Sequence, residues 1–380
     1  MKKIALIGST GSIGVQTLNV CRRYPEKFKI VSLAAGKNTA LFAEQVKEFK
    51  PEIATTAECS DEYAAVIRQN ARDFTVGENA FTNAIADNAD VVVIALVGFT
   101  GIIAVLDAIN KGKNIALANK ESLVVGGDIV MRRAREKGVK IVPIDSEHSA
   151  IWQALGFDFE RPFKRIILTA SGGAFRDKSV QELKTVTAKD ALKHPNWSMG
   201  AKITVDCATM VNKAFEVIEA KWLYSAPFDK IDVIIHRESI IHSIVEYQDG
   251  SAIAQMSYPT MELPIQLALS YPERLAPVVP CLNFAEIGKL TFSKLDTDRF
   301  PAFGEVVEAG KKGGAYPAVA NGANDAAVGL FLKNKINFND IYAAISGALS
   351  AFDGKYSGDF ESLKAANDFA ARFVKDKFGV

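Results

Sequence analysis

The chain has 380 residues, and its 45 basic side chains nearly cancel its 44 acidic ones. This length predicts two or three domains, and the balanced charge argues against a protein that binds nucleic acid or an anionic membrane surface. The sequence has neither a signal-peptide pattern nor an uncharged apolar run of the roughly 18 residues that a spanning helix needs, so we expect a cytoplasmic protein.

From residue 1 to about 145, short apolar runs alternate with segments of helical periodicity. The runs are KIALIG, KIVSLAAG, IATT, ADVVVIALVG, NIALAN and KIVPID, and the helical segments are residues 12–23, 39–49, 61–70, 101–111 and 126–137. This alternation predicts a Rossmann-like α/β domain with a parallel sheet over residues 1–145. Polar or glycine-rich clusters follow the strands, where ligands of such sheets bind.

The pattern changes after residue 150. RIILTA, KITVDC, IDVIIH and SIIHSIVEY read as strands, and YQDGSAIAQMSY reads as a hairpin, which together predict a second, mixed α/β domain over residues 146–270. Residues 271–300 are rich in proline and loop signals and are interpreted as a linker. Helical periodicity in NGANDAAVGLFLKN, NFNDIYAAISGALSAF and ESLKAANDFAARFVKDKF then predicts a small helical domain over residues 301–380.

A glycine-rich turn follows the first predicted strand. GSTGSIG places Gly8, Gly11 and Gly14 before a helix, where backbone amides can approach a dinucleotide pyrophosphate. The second strand ends in Gly36-Lys37-Asn38, without the acidic residue that usually meets a free ribose hydroxyl. Lys37 could pair with a 2′-phosphate, which favours NADPH; alternatively Lys37 is solvated and Asn38 only caps the next helix.

Three acidic residues suggest a metal site. Asp145 and Glu147 stand two residues apart at a strand end, and in extended geometry both would point to the same side. Asn212 and Glu216 are four residues apart in a predicted helix and share a face. Oxygen ligands of this kind suit magnesium or manganese better than zinc. Taken singly, each acid could also be a surface charge or a helix cap.

Two loops carry candidate substrate contacts. SGGAFR offers Ser171 and free amides for an anion, with Lys213 as a positive charge, although a plain tight turn would look the same. HPNWSMG places His194, Trp197 and Met199 in a loop that could close over a substrate, or simply hold a buried tryptophan. His194 is the preferred histidine for a substrate contact, with His148 and His242 as weaker candidates.

In this order, GSTGSIG, AAGKN, NKES, DSEH, SGGAFR, HPNWSMG and DCATMVNKAFEVIEA resemble the 1-deoxy-D-xylulose-5-phosphate reductoisomerase family. The resemblance implies a homodimer that converts 1-deoxy-D-xylulose 5-phosphate to 2-C-methyl-D-erythritol 4-phosphate in non-mevalonate isoprenoid synthesis. It implies rearrangement on a divalent ion, by retro-aldol and aldol steps or by direct migration, followed by reduction with NADPH.

The same resemblance assigns roles residue by residue. It implies the metal ligands Asp145, Glu147 and Glu216, and the substrate contacts Lys120, Ser146, Ser171, His194, Cys207, Asn212, Lys213 and Glu216, with Lys120, Glu147 and His194 as the catalytic residues. It implies the NADPH contacts Thr10, Gly11, Ser12, Ile13, Gly36, Lys37, Asn38, Asn119, Glu121 and Gly200. Lys120 could stabilise developing oxyanion charge.

Cys207 departs from the family pattern, which has serine at this position. A thiol donates a weaker hydrogen bond than a hydroxyl, so we expect weaker phosphate binding unless Ser171 and Lys213 compensate. Cys207 also permits a rival interpretation, an aldehyde dehydrogenase of the aspartate-semialdehyde type that uses a cysteine nucleophile and no metal. A non-catalytic NADP sensor is a further alternative, although it would not need three carboxylates.

Overall fold

The structure, a computed structural model, describes residues 1–379. Its twelve strands are β1 Lys2–Ile7, β2 Phe28–Ala35, β3 Ile53–Thr56, β4 Asp73–Val76, β5 Val91–Ile94, β6 Asn114–Leu117, β7 Ile141–Pro143, β8 Arg165–Ala170, β9 Ile231–Ile235, β10 Ile241–Glu246, β11 Ala252–Met256 and β12 Ser293–Lys294. A short 3₁₀ helix covers Phe228–Lys230.

The α-helices within the described residues are α1 Ser12–Arg23, α2 Thr39–Phe49, α3 Asp61–Asn70, α4 Ala80–Asn83, α5 Gly101–Asn110, α6 Glu121–Lys137, α7 Ser146–Ala154, α8 Val180–Leu183, α9 Ala188–Ala191, α10 Ala201–Thr209, α11 Val211–Leu223, α12 Glu262–Ser270, α13 Phe284–Ile287, α14 Pro301–Lys312, α15 Tyr316–Leu332, α16 Phe338–Ala351 and α17 Phe360–Phe378.

The chain forms two compact units, each assembled from three segments. Unit 1 contains residues 1–119, 130–149 and 260–280, and unit 2 contains residues 120–129, 150–259 and the segment from residue 281 onward. The predicted linker 271–300 therefore contributes to both units, and it contains helix α13 and strand β12.

Unit 1 is built on a seven-stranded parallel sheet with the order β4-β3-β2-β1-β5-β6-β7. This sheet confirms the predicted Rossmann-like α/β class. Its central strands are apolar on both faces because helices cover both sides, and Ile4, Leu6, Leu33 and Val93 are fully buried. Strand β4 was not predicted, because its four residues are mostly exposed and therefore carry a weak hydrophobic signal.

Two predicted local structures near the catalytic motifs differ from the structure. Helix α6 begins at Glu121 rather than at residue 126, and Gly126 interrupts it with a φ of −131°. Asp145 and Glu147 do not lie in an extended strand, because helix α7 begins at Ser146 and the Ser149 amide donates to the Asp145 carbonyl. The carboxylates are thus presented by a helix start, where the backbone dipole favours negative charge.

Unit 2 contains a mixed five-stranded sheet with the order β11-β10-β8-β9-β12. Strands β10 and β11 form the predicted antiparallel hairpin, and β8 and β9 run parallel. The prediction of a strand at KITVDC was wrong, because these residues lie in α10, where packing overrides the strand preference of Ile203 and Val205. The single helix predicted for CATMVNKAFEVIEA is two helices, separated at Met210 by a φ of 64°.

The carboxyl-terminal part of unit 2 is helical, as predicted, with α14, α15, α16 and α17 packed mainly through α15. Apolar residues of α15 are fully buried, including Ala320, Ala327 and Val328. Between Met1 and Gly379, none of the helices has the length and apolar character required to cross a lipid bilayer.

Candidate active site

The candidate nucleotide-binding edge of unit 1 lies where the strand order reverses between β1 and β5, the usual ligand position in such sheets. Gly8 directly follows β1 with a φ of +94°, and a Cβ there would lie 2.5 Å from the Ala95 carbonyl oxygen. A Cβ on Gly14 would lie 2.2 Å from the Gly8 carbonyl oxygen. Both positions therefore require glycine, one for its conformation and both for close backbone packing.

Helix α1 begins directly after this turn, and it brings Thr10, Gly11, Ser12 and Ile13 to one helix start. Gly11 is the N-cap residue, and no side chain caps the first turn. The first amides of a helix have no intrahelical acceptor and attract anions. The backbone amides at this helix start can therefore bind a diphosphate. Gly11 has no side chain and so leaves room for the diphosphate to approach closely.

The turn after β2 contains Gly36, Lys37 and Asn38. The Lys37 ammonium lies 3.0 Å from a carboxylate oxygen of Glu58, and the lysine side chain is 82% exposed. Asn38 caps α2 by accepting the Leu41 amide at 3.4 Å, as the alternative interpretation of Asn38 predicts. An exposed lysine can exchange this surface carboxylate for another anion at small free-energy cost, because surface ion pairs are weak.

Asn119, shortly after the end of β6, holds the neighbouring loop. Its side-chain amide donates to the carbonyl oxygens of Leu96 at 3.2 Å and Gly98 at 3.1 Å. A Cβ on Gly101, the first residue of α5, would lie 2.0 Å from the Asn119 amide oxygen. The start of α5 therefore packs closely against this asparagine. The Asn119 side chain is therefore occupied in shaping the loop after β5.

The two acidic residues of unit 1 stand at the start of α7. One carboxylate oxygen of Asp145 and one of Glu147 lie within 4.8 Å of each other, close enough to share a single cation. The Glu147 amide donates to Asp145 at 3.4 Å, and the Ser146 hydroxyl donates to the Glu147 carboxylate. Two hard oxygen donors at this spacing are chemically suited to magnesium or manganese.

A cluster of buried charges occupies unit 2. The Lys120 ammonium donates to Asn212 Oδ1 at 2.7 Å and to Glu216 Oε1 at 3.2 Å, and the Lys213 ammonium donates to Glu216 Oε2. Asn212 Nδ2 donates to Glu216 Oε1 at 2.6 Å, which confirms that these residues share a helix face. The Glu216 side chain is 1% exposed. Such buried charges are stable only when paired, so the cluster fixes Lys120 against α11.

Ser171 and His194 meet in unit 2. Nδ1 of His194 accepts the amides of Asn196 at 3.2 Å and Trp197 at 2.9 Å, so the ring proton lies on Nε2, 3.0 Å from Ser171 Oγ. Burial, together with the Arg176 charge, lowers the pKa of His194 to about 4. At neutral pH, His194 is therefore an uncharged hydrogen-bond donor through Nε2.

Other candidate residues have structural surroundings that bear on their roles. His242 Nε2 lies 3.0 Å from Ser257 Oγ, and His148 is fully buried. Gly200 is the exposed N-cap of α10, and a Cβ added there would have no described atom within 4 Å.

Burial raises the pKa of the Cys207 thiol, so this residue is not the thiolate nucleophile that the aldehyde dehydrogenase alternative requires.

Arg176 and Lys202 also belong to this region and were not predicted from the sequence. Arg176 Nη1 donates to the Ser171 carbonyl at 3.1 Å and to Asn196 Oδ1 at 3.4 Å, and so connects the Ser171 turn to the His194 loop. Lys202 pairs with Glu121 at 3.2 Å and with Asp206 at 2.8 Å. Its spacing of four residues from Asp206 was the available sequence signal.

Comparison with known proteins decides the family. The family model of 1-deoxy-D-xylulose 5-phosphate reductoisomerase matches residues 4–127, and family models of the carboxyl-terminal domains of this enzyme match residues 141–224 and 256–373. A curated reductoisomerase of Exiguobacterium sibiricum is 46% identical over 377 residues, covering 98% of each chain. The chain belongs to the 1-deoxy-D-xylulose 5-phosphate reductoisomerase family. This membership identifies it as an enzyme and overturns the dehydrogenase and sensor alternatives.

Further reductoisomerases match this chain over more than nine-tenths of its length. The enzyme of Halalkalibacterium halodurans is 50% identical and covers 92% of each chain. The reductoisomerase of Zymomonas mobilis, solved in complex with NADPH, superimposes with a TM-score of 0.92 at 36% identity and covers 99% of each chain. A reductoisomerase solved with NADPH, fosmidomycin and magnesium gives a TM-score of 0.92 at 35% identity, covering 100% of this chain and 98% of the other.

Proposed function

We propose that the chain converts 1-deoxy-D-xylulose 5-phosphate to 2-C-methyl-D-erythritol 4-phosphate, using NADPH and a divalent cation, in non-mevalonate isoprenoid synthesis. Family membership supports the reaction, and the complexes of related reductoisomerases with NADPH and magnesium support the cofactors. The observation that carries the proposal is the buried cluster of Lys120, Asn212, Lys213 and Glu216, because a purely structural core has little need of two ammonium groups and a carboxylate.

NADPH binding is proposed for the edge of unit 1. The uncapped start of α1 would receive the diphosphate, and Lys37 would exchange Glu58 for the 2′-phosphate. The further NADPH contacts proposed are Gly36, Asn38, Asn119, Glu121 and Gly200. When bound, the cofactor would supply the hydride that reduces the rearranged aldehyde.

Asp145, Glu147 and Glu216 are the proposed metal ligands. The paired carboxylates at the start of α7 offer oxygen donors only, and Glu216 offers a third carboxylate whose charge is already stabilised by lysines. Together they fit the preference of magnesium and manganese for oxygen ligands. A bound ion would polarise the substrate carbonyl and the adjacent hydroxyl.

The remaining side chains have proposed roles in holding the substrate. Lys213, Ser171 and the Nε2 proton of His194 would donate to the phosphate, with Cys207 as a weaker donor than the serine usual at its position. Lys120 would stabilise oxyanion charge during the rearrangement, with Asn212 and Ser146 as further contacts. The loop containing Trp197 would exclude water from the reacting carbons.

Three expectations accompany this function as proposals. The first is the homodimer that the family resemblance implies. The second is a cytoplasmic location. The third is the functional division into an NADPH-binding segment at 1–145, a catalytic and dimerisation segment at 146–270, a linker at 271–300 and a helical segment at 301–380.

The direct test is NADPH oxidation, followed by absorbance, with 1-deoxy-D-xylulose 5-phosphate and magnesium or manganese. We expect oxidation that stops when a chelator is added and resumes when the metal is restored. Mass spectrometry should identify 2-C-methyl-D-erythritol 4-phosphate as the product. NADPH oxidation that continues unchanged in chelator, or a folded protein that binds NADPH without turnover, would contradict the proposal.

A further inference from the structure

Lys202 is the centre of a second charged cluster in unit 2. Its ammonium lies 3.2 Å from Glu121, 2.8 Å from Asp206 and 3.0 Å from Asp325. The ammonium also lies 5.5 Å from the centroid of the Phe215 ring. One side chain thus touches residues from four helices, α6, α10, α11 and α15.

The carboxylates of this cluster depend on Lys202 for a neighbouring positive charge. The side chains of Glu121 and Asp206 are 9% and 3% exposed, so water can solvate them only slightly. Burial opposes ionisation of Glu121, but Lys202, together with a backbone hydrogen bond and the Lys120 charge, outweighs it and lowers the pKa of this carboxyl. Burial raises the pKa of Asp325 to about 6, against the opposing attraction of Lys202. Without this lysine, three acidic groups would face one another across a poorly solvated space.

The position of Glu121 gives the cluster its relevance to catalysis. Glu121 is the first residue of α6 and directly follows Lys120, whose ammonium contacts Asn212 and Glu216 on α11. Asp206 is held from a second side by Asn324 of α15, which donates at 2.8 Å. The backbone on which Lys120 stands is therefore anchored, through Glu121 and Lys202, to helices α10 and α15.

We propose that Lys202 is a positioning residue of the reaction: by holding Glu121, it keeps Lys120 in the conformation that meets the substrate. This inference rests on the proposed function, because it assigns Lys120 a part in the chemistry. It assigns the Glu121 side chain to this tether and leaves the backbone of Glu121 for the proposed contact with NADPH. A group that orients a catalytic side chain through one intermediate residue affects turnover more than cofactor affinity.

The test compares Lys202→Met, which keeps the aliphatic stem, with Lys202→Arg, which keeps the charge. For Lys202→Met we expect kcat to fall about tenfold to a hundredfold, the usual range for losing a supporting partner. The Kd for NADPH, measured by fluorescence, should change less than about threefold, and Lys202→Arg should restore most of kcat. Lys221→Met on α11, a lysine outside the cluster that lies 4.1 Å from the Trp222 ring centroid, is the matched control and should keep kcat.

A double-variant cycle decides whether Lys202 acts through Glu121. We expect Glu121→Gln to lower kcat as Lys202→Met does, and the double variant to be no slower than either single one, because both remove the same tether. Full activity of a folded Lys202→Met enzyme, additive losses in the cycle, or a parallel loss of NADPH affinity would overturn the inference. If Lys202→Met does not fold, Glu121→Gln and Lys202→Arg carry the same comparison. An inactive wild-type enzyme would instead reject the proposed function.

Discussion

The nucleotide edge of unit 1 and the charged clusters of unit 2 are built on different principles. The edge consists mainly of backbone: glycines that admit close packing at Gly8 and Gly14, and an uncapped helix start. The clusters of unit 2 consist of paired acidic and basic side chains with little exposure to solvent, such as Lys120, Glu216 and Lys202, drawn from separate segments of the chain. Unit 1 is therefore sensitive to added volume, whereas unit 2 is sensitive to altered charge.

The largest expected effect comes from altering charge in unit 2. Glu216→Gln removes a proposed metal ligand and the counter-charge of two buried lysines, and kcat/KM should fall at least about a thousandfold, roughly 4 kcal/mol of transition-state stabilisation. The matched control is Glu308→Gln, because Glu308 likewise pairs with a lysine three positions away in the same helix, Lys311, but on the surface. The control should change kcat/KM less than about twofold. A kcat/KM for Glu216→Gln within about tenfold of the wild-type value would contradict this prediction.

The next effect comes from adding volume in unit 1. Gly14→Ala places a Cβ against the backbone of Gly8 and Ser9, so the free energy of unfolding should fall by about 1–3 kcal/mol and NADPH should bind more weakly. Gly304→Ala in α14, where no described atom lies within 4 Å of the new Cβ, is the control and should be neutral or slightly stabilising. Chemical denaturation and NADPH fluorescence give both readouts. Equal stabilities of the two alanine variants would show that the turn is not close-packed.

The features that could be predicted from the sequence are those with local requirements. The glycine turn was recognisable because its requirements are local: the residues that clash with a Cβ on Gly14 lie within six positions of it in the chain. The helix boundaries of α1, α2 and α3 were predictable for the same reason. Local periodicity also placed Asn212 and Glu216 on one face, which their hydrogen bond confirms.

Long-range packing determined the features that the sequence did not predict. Lys202 meets Glu121 and Asp325, which lie 81 and more than a hundred positions away in the chain, and no local pattern indicates such a meeting. The strand predicted at KITVDC failed because burial against neighbouring helices outweighs a small local preference. The family resemblance, rather than periodicity, supplied the catalytic role of Lys120.

A smaller effect should follow from removing the exposed lysine of the nucleotide edge. Lys37→Ala should weaken NADPH binding by about tenfold, because it removes a charge-assisted hydrogen bond to the 2′-phosphate, and should leave NADH binding unchanged. Glu58→Gln removes the present partner of Lys37 and should leave NADPH binding equal or slightly tighter. Equal weakening of NADPH and NADH by Lys37→Ala would contradict a role in recognising the phosphate.

The smallest effect concerns the pH dependence of stability. His194 has a folded-state pKa of about 4, below the 6.5 of an unfolded histidine, so the unfolded state binds more protons between these values. The contribution of His194 to stability is therefore present above about pH 6.5 and declines as the pH falls toward 4. Relative to His194→Gln, the wild-type Tm should be lower at about pH 4.5 than at about pH 7. A Tm difference that does not vary with pH would reject the neutral, buried state assigned to His194.

The central proposal is that Asp145, Glu147 and Glu216 bind one divalent ion. It is tested most directly by titrating Mn²⁺ into the NADPH-bound enzyme and measuring free Mn²⁺ by electron paramagnetic resonance. We predict one ion per chain in the wild type, and a Kd at least about tenfold weaker in both Asp145→Asn and Glu216→Gln, with Glu308→Gln unchanged. Wild-type affinity in either Asp145→Asn or Glu216→Gln would contradict the claim.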